Sequence, residues 1–308
     1  MLKYIIKRLL ALIPIMLVIS LMVFFFMSLT GDPAMTVAGG EMTAEELDIL
    51  RENMGLNDPF FVRYGRYMND VLHGNWGKDL RGQDVWMLFS TRLPYTIALS
   101  VAAILVVILI ALPCGIIAAI KQNTWTDTAV STFAIAGMSI PNFWIGLMLM
   151  LFFGVKLGWL PTSGATTVSS IILPAISAGL MFAAASARTT RSSMLDCLRA
   201  DYLRTARAKG VSENDVVTKH ALKNAMIPIV TVLGSQFCNL MGGTVIVESV
   251  FAWPGIGNLI VSGVRGNEFT LVTSCIIMTT LLIGLCLIAI DVLYAFIDPR
   301  IKALYTGK

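Results

Sequence analysis

Six stretches without a single Asp, Glu, Lys or Arg constrain this chain more than anything else in it: 9–31, 98–120, 129–155, 171–187, 225–247 and 269–290. A helix crossing the hydrocarbon core of a bilayer needs roughly 20 mostly apolar residues. Five of the stretches exceed that, and the shortest, 171–187, is extended at its N-terminal end by uncharged Ser and Thr. Only helices and closed barrels satisfy every backbone polar group in lipid, and runs this long and uniformly apolar are helical ones. The reading is therefore an all-α integral membrane protein with six spans. Composition agrees: 56% of the 308 residues are hydrophobic and 14% are charged, against about 25% charged in a soluble domain.

Six spans place both termini on one side of the membrane. With that side as the cytoplasm, 15 of the 23 Lys and Arg residues lie inside, eight of them in the segment 188–224. Of the eight outside, six fall in one long loop, where charge carries little topological weight, and the two short outer loops hold only Lys156 and Arg265. The positive-inside rule thus puts the N-terminus in the cytoplasm. Lys3, Lys7 and Arg8 precede a first apolar run too long for a signal peptide and followed by no small-x-small cleavage site, so it is expected to remain as an anchor.

The expected organisation is a cytoplasmic N-terminus and first span over 1–31, an extracytoplasmic loop over 32–97, a bundle over 94–291 that includes the cytoplasmic insert 188–224, and a cytoplasmic tail over 292–308. Within the loop, Thr43 and Glu46 have the spacing of a capping box, so a short helix should follow and stop near Gly55. A second should begin around Pro59 and carry Phe60, Tyr64, Tyr67, Met68 and Val71 on one face, a face that must rest on the membrane surface or on the bundle. In the fourth span Ala175, Gly179, Ala183 and Ala187 recur every four residues. Small residues at that interval let two helices approach backbone to backbone, which predicts a central, tightly packed helix.

The chemistry-bearing residues exclude several classes. No G-x-x-x-x-G-K-[ST] tract exists to cradle nucleotide phosphates, the five cysteines have no metal-ligand or redox spacing, and His73 and His220 fall on opposite sides of the membrane. The spans offer hydroxyls, amides and thiols but no facing pair of acid and base, so no enzyme is expected. Thr231, Ser235, Asn239 and Gly242 share one face of the fifth span, and Ser139 and Asn142 flank Pro141 in the third. Polar groups in hydrocarbon need partners or water, so these either bond between helices or line a hydrated translocation path. The prolines at 113, 141, 174 and 228 are expected to kink or loosen their helices. Glu248, at the outer end of the fifth span, is either a water-capped interfacial residue or, with Trp253, Pro254 and Gly255, an outer gate or contact for a binding protein. Trp76, Trp159 and Trp253 suit an outer interfacial belt. Asp291 and Asp298 near the inner end of the sixth span suit local pairing or contact with headgroups.

The insert 188–224 carries the most specific signal. Ala206, Gly210 and Leu222 occupy positions of the EAA-type loop of ATP-binding cassette importers, although Arg204, Thr205, His220 and Lys223 depart from that pattern. The longer string DYLRTARAKGVSENDVVTKHALKNAMIPIVTV closely resembles the peptide and nickel permease branch of that superfamily. So do KRLLALIP, TGDPA, GLNDP, SIPNFW, WLPTSG, ILPAIS, ESVFAWPGIG and DVLYAFIDPRI along the chain. The resemblance implies the core fold of type I importers and a permease of the bacterial inner membrane that moves short peptides, with nickel or metal-chelate uptake as the alternative and a passive channel as the alternative of another class. It implies a second homologous permease, two ATPase subunits that would hold ATP and Mg, an extracytoplasmic solute-binding protein, and no nucleic-acid partner. No cofactor or metal is expected on this chain itself. It also assigns coupling to the ATPase to Asp201, Tyr202, Arg204, Thr205, Ala206, Arg207, Lys209, Gly210, His220 and Leu222. Physically, Gly210 suits the bend between two short helices, and Arg204, Arg207 and Lys209 can make charge-assisted contacts with acidic groups.

Overall fold

The computed structural model describes residues 2–38 and 42–297; of the expected C-terminal tail 292–308, residues 292–297 continue the last helix, and Asp298 and the residues after it lie outside the described ones. The chain begins with α1 (Leu2–Thr30), α2 (Pro33–Ala38), α3 (Ala44–Asn53), α4 (Phe60–Leu72) and α5 (Val85–Ile120). Next come α6 (Trp125–Ser139), α7 (Asn142–Leu149) with a π-helical extension Met150–Lys156, a 3₁₀ turn Val168–Ile171 and α8 (Ile172–Leu198). The remainder is α9 (Asp201–Ala208), α10 (Glu213–Asp215), a π turn Val216–Ala221, α11 (Leu222–Gly243), α12 (Val245–Val250), α13 (Ile256–Arg265) and α14 (Phe269–Ile297). Among the described residues there is no strand, only an isolated antiparallel bridge between Lys78 and Asp84.

Five helical segments are long and apolar enough to cross a membrane: Ile5–Leu29, Val85–Ile120, Val168–Leu198, Glu213–Gly243 and Phe269–Tyr294. The third expected span, 129–155, is not one helix. α6 and α7 meet at an angle of 100°. Pro141 lacks an N–H and pushes the residue before it out of the helical region, and Ile140 is extended at φ −90°, ψ 127°. The kink expected at Pro141 is thus a full break. Pro174, by contrast, sits in the first turn of α8, where its missing N–H has no helical partner to lose, and α5 runs unbroken through Pro113. α5 also begins earlier than the charge-free run suggested, because the Asp84 carboxylate caps it by accepting from the N–H groups of Trp86 and Met87. The helix thus starts inside the segment 32–97 that was expected to form the loop.

The chain divides into two compact units. One comprises Leu2–Thr96 and Pro254–Leu285. Here Thr43 and Glu46 form the expected capping box, and Gly55 follows the end of α3 at φ +63°. The aromatic face of α4 rests on Phe24 of α1: its ring centroid lies 5.6 Å from those of Phe60 and Tyr64 and 5.5 Å from that of Tyr67. Tyr67 hydroxyl and Ser274 Oγ are 3.0 Å apart, and Ser274 donates in turn to Trp76 O. A second apolar cluster joins Val85 and Phe89 to Ile256, Leu259, Leu271, Cys275 and Met278.

The other unit comprises Ile97–Trp253 and, among the described residues, 286–297. Its axis is α8, whose spanning window is 50% buried, against 11% for α1. Ala175, Ala183 and Ala187 are 3%, 0% and 4% exposed. A Cβ at Gly179 would stand 2.8 Å from Ala103 O, and one at Gly115 would stand 2.6 Å from Ala187 O. The small-residue stripe brings α5 and α8 into backbone contact, as its spacing predicts.

Candidate functional site: the elbow between α8 and α11

The insert folds as a short helix, a left-handed turn and a return into α11. α9 ends in a Schellman arrangement: Gly210 N–H donates to Arg207 O at 3.0 Å and Val211 N–H to Ala206 O at 3.3 Å. The residue at the turn of such a motif takes positive φ, which a glycine adopts without steric cost, and Gly210 stands at +78°. Ser212 Oγ then accepts from Asp215 N–H and starts α10.

The elbow is bolted to the bundle from beneath. Leu203 is fully buried, with Met194 of α8 and with Val216, Val217 and Ala221 at the base of α11, in one cluster that Ala206 and Val211 flank. Leu203 was not singled out in the sequence, yet its place three residues before Ala206 is the helical signal of a buried stripe. Arg207 donates Nε and Nη2 to the two carboxylate oxygens of Glu213 at 3.0 and 2.8 Å, and this pairing holds its guanidinium above its ordinary pKa. Arg207 therefore ties the two arms of the elbow together rather than standing free. Arg204 is open: its side chain is 78% exposed, with Asp201 at 3.5 Å. Tyr202, Thr205, Lys209 and His220 are exposed and Leu222 is half-buried; the Tyr202 hydroxyl accepts from Asn224 Nδ2.

Two further polar contacts hold the ends of the helices nearest the elbow, and neither had a local signal in the sequence. Arg191 of α8 donates Nε and Nη2 to the Asp127 carboxylate at 2.5 and 2.7 Å, and Asn123 N–H donates to the same carboxylate. The Asp127 side chain is 6% exposed and that of Arg191 28%. Arg199 Nη2 donates to Gln122 Oε1, so the turn before α6 is fastened to the last two turns of α8, immediately ahead of the elbow. Deeper, Ser186 Oγ donates to Gln236 Oε1 at 2.8 Å between α8 and α11.

The other candidate residues separate. On α11 the hydroxyls of Thr231 and Ser235 bond back to Ile227 O and Val232 O, and both residues, with Asn239, are exposed. Among the described residues the hydroxyls of Thr231 and Ser235 make no bond to another helix, although the Thr231 carbonyl accepts from the Tyr294 hydroxyl of α14; the interhelical amide is Gln236. Ser139 bonds to Ile135 O, and Asn142 accepts from Ser177 Oγ through its backbone carbonyl while its own Oδ1 is buried without a partner. Glu248 corrects the interfacial reading: it is 0% exposed and accepts from Thr244 Oγ1 at 3.1 Å. Trp253 is 4% exposed against Leu99 and Ala175, Gly255 is buried and Pro254 half-buried, while Ala252 of the same turn is exposed. Of the expected tryptophan belt only Trp159 is exposed, at 67%; Trp76 packs beside Val85 and Phe89.

Five spanning helices, a sixth broken one and the exposed elbow define a multi-pass membrane protein. Residues 111–303 match the family described as binding-protein-dependent transport system inner membrane component, and residues 1–81 match its N-terminal companion. The chain belongs to that family: it is a multi-pass inner-membrane permease subunit of an ATP-binding cassette importer, a transport subunit rather than an enzyme. Two relatives are the glutathione transport system permease proteins GsiC of Salmonella paratyphi A, 42% identical, and of Escherichia coli K12, 41% identical; each match covers 98% of this chain and 99% of the relative. Among solved structures, an inward-facing MetNI methionine ABC transporter matches with TM-score 0.58 at 19% identity, covering 69% of this chain and 97% of that one. That likeness concerns the fold, the type I importer permease core.

Proposed function

We propose that this chain moves short peptides across the inner membrane, pairing with a second homologous permease and drawing on two ATPase subunits that bind ATP and Mg. Cargo arrives from an extracytoplasmic solute-binding protein, and both termini face the cytoplasm. Full-length similarity to permeases named for glutathione, itself a small peptide, supports the substrate class. The distribution of Lys and Arg supports the orientation.

The observation that carries the coupling role is the elbow, a rigid, glycine-turned structure whose buried side is welded to α8 and α11 and whose free side presents Arg204, Thr205 and Lys209. An ATPase groove that closes on it moves both helices together. Gly210→Pro, or Arg204→Glu with Arg207→Glu, should abolish uptake of a labelled dipeptide while the protein still inserts in the membrane. Normal uptake by both variants would contradict the proposal. Competition between dipeptides and nickel in whole cells tests the cargo: inhibition by nickel alone would overturn the peptide reading.

A further inference from the structure

α4 does not float above the membrane. Tyr64 hydroxyl lies 2.7 Å from Ser20 Oγ, and Ser20 is ten residues before the end of α1, roughly 15 Å down the helix axis. Since α1 is apolar enough to span from Ile5 to Leu29, α4 packs along the last three turns of a span, which assigns it to that span's membrane–water end. Its side chains agree: the face away from Phe24 exposes Phe61 by 76%, Val62 by 50% and Leu72 by 80%, the pattern of a helix set into the membrane interface.

At that end α4 also carries a cation without a counter-ion. Arg63 is half-buried, its guanidinium 6.0 Å from the centre of the Phe24 ring, and among the described residues no carboxylate pairs with it. It borders a cavity of about 280 Å³ with an apolar side formed by Phe24, Leu56 and Phe269 and a polar side that includes Lys78 and Asp70. Arg66 also reaches this cavity but is spent on Asp58, at 2.5 Å. The remaining charges, Arg63 and Lys78 against Asp70, leave one positive charge. A half-desolvated guanidinium is costly without an anion, and the anion that occurs at this level is the phosphodiester of a phospholipid.

We propose that the cavity between α1, α4 and the start of α14 is a binding site for a phospholipid headgroup, with Arg63 on the phosphate, Lys78 assisting, and the acyl chains beside the exposed apolar side chains of α4. The orientation derived from charge assigns the site to the outer leaflet; the site itself does not depend on what the permease carries.

Native mass spectrometry of the membrane-purified protein, with its companion subunits, tests this using phosphatidylethanolamine, phosphatidylglycerol, phosphate-free diacylglycerol and inorganic phosphate as probes. The native protein should retain both phospholipids and not diacylglycerol. Arg63→Gln should weaken retention by about tenfold, the lower end of what a hydrogen bond to a charged group contributes. Lys78→Gln should show a smaller loss, Arg63→Lys should keep most of the binding, and Arg81→Gln, a cation of the same loop that does not line the cavity, should change nothing. Equal retention of diacylglycerol would overturn the proposal, as would displacement of lipid by inorganic phosphate. If Arg63→Gln fails to assemble, Lys78→Gln decides, and unaltered retention in it overturns the site.

Discussion

Asp127 and Arg191 show how a residue-scale contact can matter to a helix-scale motion. Breaking a buried ion pair leaves a charge without a partner, at a cost of about 3–5 kcal/mol when burial is complete. Arg191 keeps 28% of its side chain exposed, so solvent screening should reduce the loss to about 2 kcal/mol. Thermal unfolding of purified Asp127→Asn and Arg191→Gln proteins should show that loss, and the exchanged pair Asp127→Arg with Arg191→Asp should recover part of it. Full stability of both single variants would mean the contact holds nothing. The pair was invisible beforehand because its members are 64 residues apart, and the sequence marks Arg191 only as one more inside charge. Glu248 was misjudged for a related reason. An acid at the end of an apolar run reads as interfacial, and only the turn that brings Thr244 and Trp253 over it makes it a buried one.

At the scale of elements, periodic patterns were the legible part and breaks were not. The stripe Ala175, Gly179, Ala183, Ala187 predicted a close helix crossing, because four-residue spacing of small side chains has one geometric use. It follows that Gly179→Ala should destabilise. Its Cβ would stand 2.8 Å from Ala103 O, and overpacking of this kind costs about 1–3 kcal/mol, of which better helix propensity returns up to about 1 kcal/mol. Gly243→Ala, which meets nothing within 4 Å, is the control; equal unfolding midpoints for the two variants would remove the crossing from the account. The break between α6 and α7 was legible as a proline, but the 100° angle was not, since a single Pro is compatible with anything from a mild kink to a stop. The stripe on α11 divides in the same way: the spacing of Thr231, Ser235 and Asn239 showed a common face, while its exposure on the folded chain is a property of packing. Asn239→Leu should change the concentration dependence of dipeptide uptake if this face lines the route. Unaltered kinetics would assign it to lipid or to helix contact with another subunit.

For the molecule as a whole, the membrane class and the number of spans could be read from charge-free runs alone, because hydrocarbon tolerates so few alternatives. The elbow was legible from its residues, Gly210 above all, whereas the way buried Leu203 and the exposed pair Arg207–Glu213 brace it was not. In the proposed coupling role, those braces would turn a push on the exposed surface into a displacement of α8 and α11. A photo-reactive benzophenone side chain placed at Thr205, on the free side of the elbow, tests this most directly in membrane vesicles that transport. Illumination should capture an ATP-hydrolysing subunit there, in a yield that changes with nucleotide, and should capture none from Gly82 in the long loop. Sustained uptake with no such subunit attached at Thr205 would contradict the account.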